Sequence, residues 1–345
     1  CGRPLHAGTA TKEDHRDMEQ KAKTAAKGGG LKKLLKQQEV IVILLIILVS
    51  IFLSIRRPDS FPTSLNIFNV LKQASQYAVL AIGMGFVIIC GNIDISVGAI
   101  IATSICTAAY VNEKLGVINP LFVLLIIFAV GALFGLINGL LVAKAGLPAF
   151  IATMGMLSVG DGISLLLSNG TPIKYGTSWI SVFGGSYVGP VPVQVIVMIV
   201  MIVLAWLFAQ YTVTGRNIYA VGNNPRAAKL TGINTDGIII MCYIICGCMC
   251  SLVGLMMMGQ LKQAGPSYGS GYELDAIAAS VIGGISMAGG EGNIYGVALG
   301  AILMALLRNL FVQIAVPGYW QTVVLGVVII ASVAIDCVRK KREAR

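Results

Sequence analysis

Charge is scarce in this sequence: only 12% of its 345 residues are Asp, Glu, Lys or Arg, against roughly a quarter in ordinary soluble domains. With 56% of the residues hydrophobic, a water-soluble globule would lack the polar side chains to cover its own surface. Histidine is scarcer still. His6 and His15 are the two present, both near the start, so no histidine proton relay runs through the apolar part of the chain. No GxxxxGK[ST] segment occurs, which excludes phosphate binding by a P-loop. No loop holds a CxxC pair, so the eight cysteines suggest neither a disulfide framework nor a zinc site. Cys242, Cys246 and Cys250 share one helical face, where they read as small packing hydrophobes. The apolar runs contain no nucleophile elbow and no paired acid/base cluster, which argues against a membrane-embedded enzyme. No cofactor is implied.

Long hydrophobic runs are what the sequence has in their place. They measure roughly 15–25 residues, the length that crosses a bilayer as a helix. They lie near 38–55, 67–90, 96–112, 119–143, 148–168, 190–212, 237–259, 273–288, 293–313 and 319–338, with the third and eighth the shortest. The expected fold is therefore an all-α polytopic bundle of about ten transmembrane helices in membrane lipid. Residues 40–55 follow positive charge as a signal peptide would. Arg56-Arg57 comes next, however, with no small-residue cleavage site, so this run reads as a retained first helix.

The net charge of +10 raises the question of nucleic acid. The basic residues are not interleaved with aromatics, and they cluster where cytoplasmic flanks of spans belong. With the N-terminus inside, segments 1–37, 91–95, 144–147, 213–236, 289–292 and 339–345 carry 18 of the 25 Lys and Arg residues. That split predicts both termini in the cytoplasm, and no nucleic acid partner. The expected layout is a basic tail over 1–37, a membrane domain over 38–338 with a cytoplasmic loop at 213–236, and a basic tail over 339–345. Two glycine ladders, Gly131/Gly135/Gly139 and Gly292/Gly296/Gly300, predict close helix–helix contacts.

Polar residues inside the apolar runs are costly and so mark functional positions. Asn92, Asp94 and Ser96 form a glycine-flanked polar break between two runs. They read either as a broken helix lining a polar pathway or as a turn capping the next helix. Asn138 in the fourth run, Asp161 in the fifth, and Glu273 and Asp275 at the start of the eighth complete the pathway candidates, although acids at a helix start also read as capping.

The loop at 213–236 holds a short helix by local rules: Asn224 as N-cap, Pro225 at the first position, about two turns through Ala227 and Ala228, and Gly232 as the stop. An ordered, small-surfaced helix in the cytoplasm predicts docking into a cleft on a partner, and a bulky acid at Ala228 is expected to uncouple that partner without disturbing folding.

At these residues the sequence resembles a family. The run Gly215-Arg216-Asn217 through Gly222, Asn224 and the Ala227-Ala228 helix is similar to the coupling loop of ABC importer permeases of the ribose/xylose/arabinose/galactoside group. Gly91-Asn-Ile-Asp-Ile-Ser-Val-Gly98 resembles that group's GGIDLSVG element, with Asn92 in place of its second glycine. Gly271–Ala279 running into Val281–Gly290, and Tyr319-Trp320-Gln321, are further matches. The resemblance spans about 40–340 and implies a multi-pass protein of a bacterial cytoplasmic membrane with no catalysis of its own. It also implies a dimer with a second permease subunit, a cytoplasmic ABC ATPase below and an extracytoplasmic substrate-binding protein above. By it, Gly215, Arg216, Asn217, Gly222, Asn224, Pro225, Ala227, Ala228 and Gly232 couple to the ATPase, and 91–98 and 271–290 line or frame the pathway. The implied solute is a monosaccharide such as ribose, with nucleosides or autoinducers as alternatives. An autonomous secondary transporter is the reading from a different class.

Overall fold

The computed structural model describes residues 38–116, 119–175 and 179–343; the expected tail over 1–37 lies outside them. Ten helices carry the bundle. They are α1 (Gln38–Arg56), α2 (Ser64–Ile89), α3 (Val97–Leu115), α4 (Pro120–Ala143), α5 (Ala149–Ser168), α7 (Val193–Tyr211), α10 (Thr235–Leu261), α11 (Tyr272–Ile282), α12 (Ile294–Gln313) and α13 (Gly318–Glu343). The other helices are α6 (Ser181–Gly184), α8 (Val213–Asn223, as long as α11) and α9 (Pro225–Leu230). Two short antiparallel ribbons, which the apolar pattern does not signal, pair β1 (Ile173–Lys174) with β4 (Gln263–Ala264) and β2 (Tyr187–Val188) with β3 (Val191–Pro192).

Seven of these helices are long and apolar enough to cross a membrane. The expected eighth run is the main departure. It ends as a helix at Ile282 rather than near 288, because Gly283-Gly284 follows and Gly284 takes φ +101°, a left-handed conformation that stops a helix. Eleven residues rise about 16 Å, roughly half of a hydrocarbon core. The last helix departs the other way. It continues to Glu343, through the stretch expected to be a tail, because Lys and Arg are good helix formers and suit the negative end of the helix dipole.

α2 is the central element. Every residue from Ala74 to Ile89 is buried, a mostly apolar stretch, with Ser75 and Gln76 at its start, enclosed by α7, α10, α11 and α12. α1 is its opposite: Leu48 and Ile55 are largely exposed along with most of its length, as on a helix facing lipid. The first glycine ladder makes the close contacts expected of it, and so do two members of the second; its third, Gly292, precedes α12 at φ +151° and packs on Ile285 instead. A Cβ added at Gly131, Gly135 or Gly139 would collide with the α10 backbone at Gly247, Tyr243 or Ile240. One at Gly296 or Gly300 would collide with the α11 carbonyls of Gly283 or Ala279. With no hydrophobic drive between helices in lipid, this close van der Waals approach is what holds them.

The bundle has two distinct ends. One carries α8 and α9 together with the α2–α3 and α11–α12 connections, and the other carries the two ribbons.

Candidate functional site: the 213–236 segment and the polar clusters within the bundle

α8 begins where the Thr212 hydroxyl accepts from the Gly215 N–H at 2.9 Å. Gly215 is required by closeness, since a Cβ there would meet the carbonyls of Phe208 and Ala209. α9 forms as its caps predict: the Asn224 side chain accepts from the Ala227 N–H at 3.0 Å, Pro225 opens the first turn, and Gly232 stops it at φ +85°. One expectation is corrected. Ala228 is 5% exposed and faces the bundle, so a bulky acid there would have to enter the core and could not leave folding undisturbed. Pro225, Arg226, Ala227, Lys229 and Leu230 are exposed, with Leu230 89% exposed. Arg216 is also exposed, its guanidinium donating to the Gln210 carbonyl at 3.4 Å, and Asn217 is half-buried.

α8 does not hang free beneath the bundle. Gly222 lies directly on the carbonyl of Ile89 and beside the amide of Gly290, and the Gly290 N–H donates to that same Ile89 carbonyl at 2.8 Å. The Tyr219 hydroxyl donates to the Gly292 carbonyl at 3.2 Å. The end of α2 and the α11–α12 connection are thus pinned to α8 by backbone contact.

The break at 90–96 turns inward. Ile89 lies at the α8 end, yet Ile101, in the second turn of α3, lies beside Gly254, well inside α10, so the chain re-enters the bundle as an extended segment. Non-helical backbone at such depth must have its polar groups satisfied by protein. Tyr243 donates its hydroxyl to the Ile93 carbonyl at 3.0 Å. Asp94 is fully buried and accepts from both the N–H and the hydroxyl of Ser96, at 2.9 and 2.6 Å. The Asn138 amide, from α4, donates to the Ser96 oxygen at 2.8 Å and reaches both Asp94 oxygens at 3.4 Å. Asn92 donates back to the Cys90 carbonyl at 3.3 Å. Asp94, Ser96 and Asn138 therefore meet in one closed cluster.

The other acids are dispersed. Asp275 is buried and paired with Arg308 at 2.6 Å, and the Arg308 guanidinium lies 5.6 Å from the centre of the Tyr77 ring. The Glu273 Oε2 is buried beside Gly98 with no hydrogen-bond partner among the described residues. Asp161 stands on the exposed face of α5 together with Gly155 and Ser158.

A search for ionisable groups passes over a neutral cluster at the ribbon end. The Gln76 amide donates to the Gln260 oxygen at 2.9 Å and, more distantly, to the Gln194 oxygen at 3.4 Å, and it accepts from the Tyr272 hydroxyl at 3.1 Å. Gln194 donates to the Gly184 carbonyl at 2.9 Å and to Gln260 at 3.2 Å. The signal in the sequence is amides inside apolar helices, at Gln73, Gln76, Gln194 and Gln260.

Residues 66–333 match a family model described as the permease component of the branched-chain amino acid transport system. The chain is 39% identical to the ribose import permease protein RbsC of Escherichia coli K12, over 84% of this chain and 91% of that protein. It is also 39% identical to RbsC of Bacillus subtilis 168, over 85% and 90%. It is 33% identical to the galactose/methyl galactoside import permease protein MglC of Escherichia coli K12, over 86% and 93%. No solved structure matches the chain significantly. With a family model over most of its length and relatives aligned almost end to end, the chain belongs to the family of import permease components that holds these ribose and galactoside permeases.

Proposed function

We propose that this chain is the membrane-spanning subunit of an ATP-driven importer that carries a monosaccharide, ribose or a related sugar, handed to it by an extracytoplasmic binding protein. The family description names branched-chain amino acids, but the relatives aligned above, at 33–39% identity, are named for ribose and galactosides. The solute class follows those relatives. Such a subunit is a transport component and not an enzyme; a separate cytoplasmic ATPase hydrolyses the ATP.

The observation that carries the reading is the pinning of α8. A helix pair that receives force from an ATPase must pass it on to the spans, and backbone contact from Gly222 to Ile89 and Gly290 provides a stiff joint. In this reading α8 and α9, within 213–236, face the cytoplasm, with Gly215, Arg216, Asn217, Gly222, Asn224, Pro225, Ala227 and Gly232 forming or shaping the coupling surface and Leu230 as its exposed apolar anchor. The chain crosses about ten times, with both ends inside and α11 as a half-length span. Residues 38–338 form the membrane domain, flanked by the basic stretches 1–37 and 339–345 in the cytoplasm of a bacterial cell. A second permease subunit covers the α5 face that exposes Gly155, Ser158 and Asp161, because a carboxylate facing lipid is too costly. The water-filled pathway between the two subunits gives Asp161 its solvent. The Asp94–Ser96–Asn138 cluster and Asp275 hold the broken helices that frame it.

The test is uptake by vesicles containing the chain with its ATPase and binding protein. ATP-dependent accumulation of labelled D-ribose or D-galactose is expected. Uptake that persists with the ATPase left out would overturn the reading in favour of a self-sufficient transporter.

A further inference from the structure

At the ribbon end a cavity of about 320 Å³ opens between α2, α10 and α11, at the small end of the roughly 300–1,000 Å³ typical of small-molecule sites. Its polar lining is Asn69, Lys72, Gln73, Gln76, Gln260 and Tyr272. We infer that this cavity is the permease's own contact site for its solute, and that the site selects a neutral, hydroxyl-rich molecule. The inference rests on the importer reading and adds to it the place and the chemistry of recognition.

Side-chain amides present a donor and an acceptor on one group, which matches hydroxyls that must both give and receive. The amides here are held in place. Gln76 is buried, and its two ends are fixed by Gln260 and by the Tyr272 hydroxyl. The Gln260 oxygen takes bonds from Gln76 and Gln194, which directs the Gln260 nitrogen away from them. That nitrogen and the exposed Asn69 amide have no protein partner among the described residues, so they are open to a solute.

The charge pattern narrows the solute further. No carboxylate lines the cavity, so the ammonium of an amino acid would be desolvated there without a partner, a heavy cost. The one cation, Lys72, donates to the Tyr187 hydroxyl at 2.6 Å and lies 4.5 Å from the centre of that ring. It is engaged with the β2–β3 ribbon. Amide walls with no acid, and a lysine drawn towards the Tyr187 ring and hydroxyl, favour a polyol over a zwitterion or a cation. The cavity also lies at the end opposite α8 and α9, where an importer receives its load.

The test uses the full complex in vesicles. Asn69→Ala alters an exposed side chain that has no partner among the described residues and inserts at the wild-type level; Gln260→Ala also takes the acceptor from Gln76 and Gln194, so its uptake is compared per folded complex. Each removes one hydrogen bond to the solute, so uptake of sub-saturating labelled D-ribose per ATP hydrolysed falls roughly three- to ten-fold. Wild-type rates in both variants overturn the site. A second measurement labels Gln260→Cys with a membrane-impermeant maleimide: D-ribose with the binding protein slows the labelling at least about three-fold, and equal labelling with and without the sugar overturns the site. Wild-type vesicles that carry L-leucine and no sugar overturn the solute class. If wild-type vesicles carry none of these solutes with ATP, it is the importer reading that fails.

Discussion

Gly222 of α8 rests on the carbonyl of Ile89, the last residue of α2, with no room for a side chain between them. The same carbonyl accepts from Gly290, so one oxygen gathers the end of α2, the α11–α12 connection and α8. Gly222→Ala is therefore expected to force these backbones apart at a cost of about 1–3 kcal/mol, and Gly222→Val more. Thermal unfolding of the purified protein should show a lowered Tm for both, larger for Val. Wild-type Tm values would mean that α8 is not pinned at this point.

Two neighbouring positions on α9 separate folding from docking. Ala228 is buried against the bundle, whereas Leu230 is almost fully exposed. Ala228→Glu places a charge in the core and should reduce the amount of folded protein, by about 2 kcal/mol or more. Leu230→Glu should fold normally but co-purify with less ATPase. If Leu230→Glu retains the full amount of ATPase, the exposed face of α9 is not the docking surface.

The buried ion pair offers a third test. Arg308→Met leaves the Asp275 carboxylate buried and uncompensated, which costs about 3–5 kcal/mol. Adding Asp275→Leu removes that stranded charge and should recover most of the loss. Unfolding measurements on both single variants and the double variant form the cycle. Purely additive losses would show that the pair is not coupled.

Two glycines in different surroundings distinguish packing within the chain from packing between subunits. A Cβ at Gly135 would strike the α10 carbonyl of Tyr243, while one at Gly155 meets nothing within 4 Å. Gly135→Leu is expected to prevent stable folding. Gly155→Leu should leave the single chain as stable as wild type and shift the permease from dimer to monomer in light scattering. A dimer unchanged in Gly155→Leu would place the second subunit on another face.

Much of the helical layout was legible because the signals are local. Runs of apolar residues, Pro at helix starts and Asn at the cap of α9 each act within a few residues, and the glycine ladders mark the close faces of α4 and α12. The eighth run was overextended because Ile285 and Met287 keep the stretch apolar beyond Gly283-Gly284, and composition alone cannot show that Gly284 turns left-handed. The site was less legible. Looking for costly charges picked out Asp94 and Asp275, and these are closed off by Ser96 with Asn138 and by Arg308. The cavity is lined by uncharged amides, which carry a smaller desolvation cost and so stand out less from an apolar background.

By itself the sequence determined that the chain lives in a bilayer and where most of its helices lie, because backbone hydrogen bonding in lipid must be met within each segment, and that α9 is capped, because Asn224 and Pro225 act on their own first turn. Only the tertiary structure decided which polar groups meet. Gln76 and Gln260 lie 184 positions apart, Asp94 and Asn138 44 apart, and Gly222 reaches Ile89 across several intervening helices. Such partners are chosen by how helices pack against one another, through glycine faces and buried hydrogen bonds, and no local pattern in the chain records that choice.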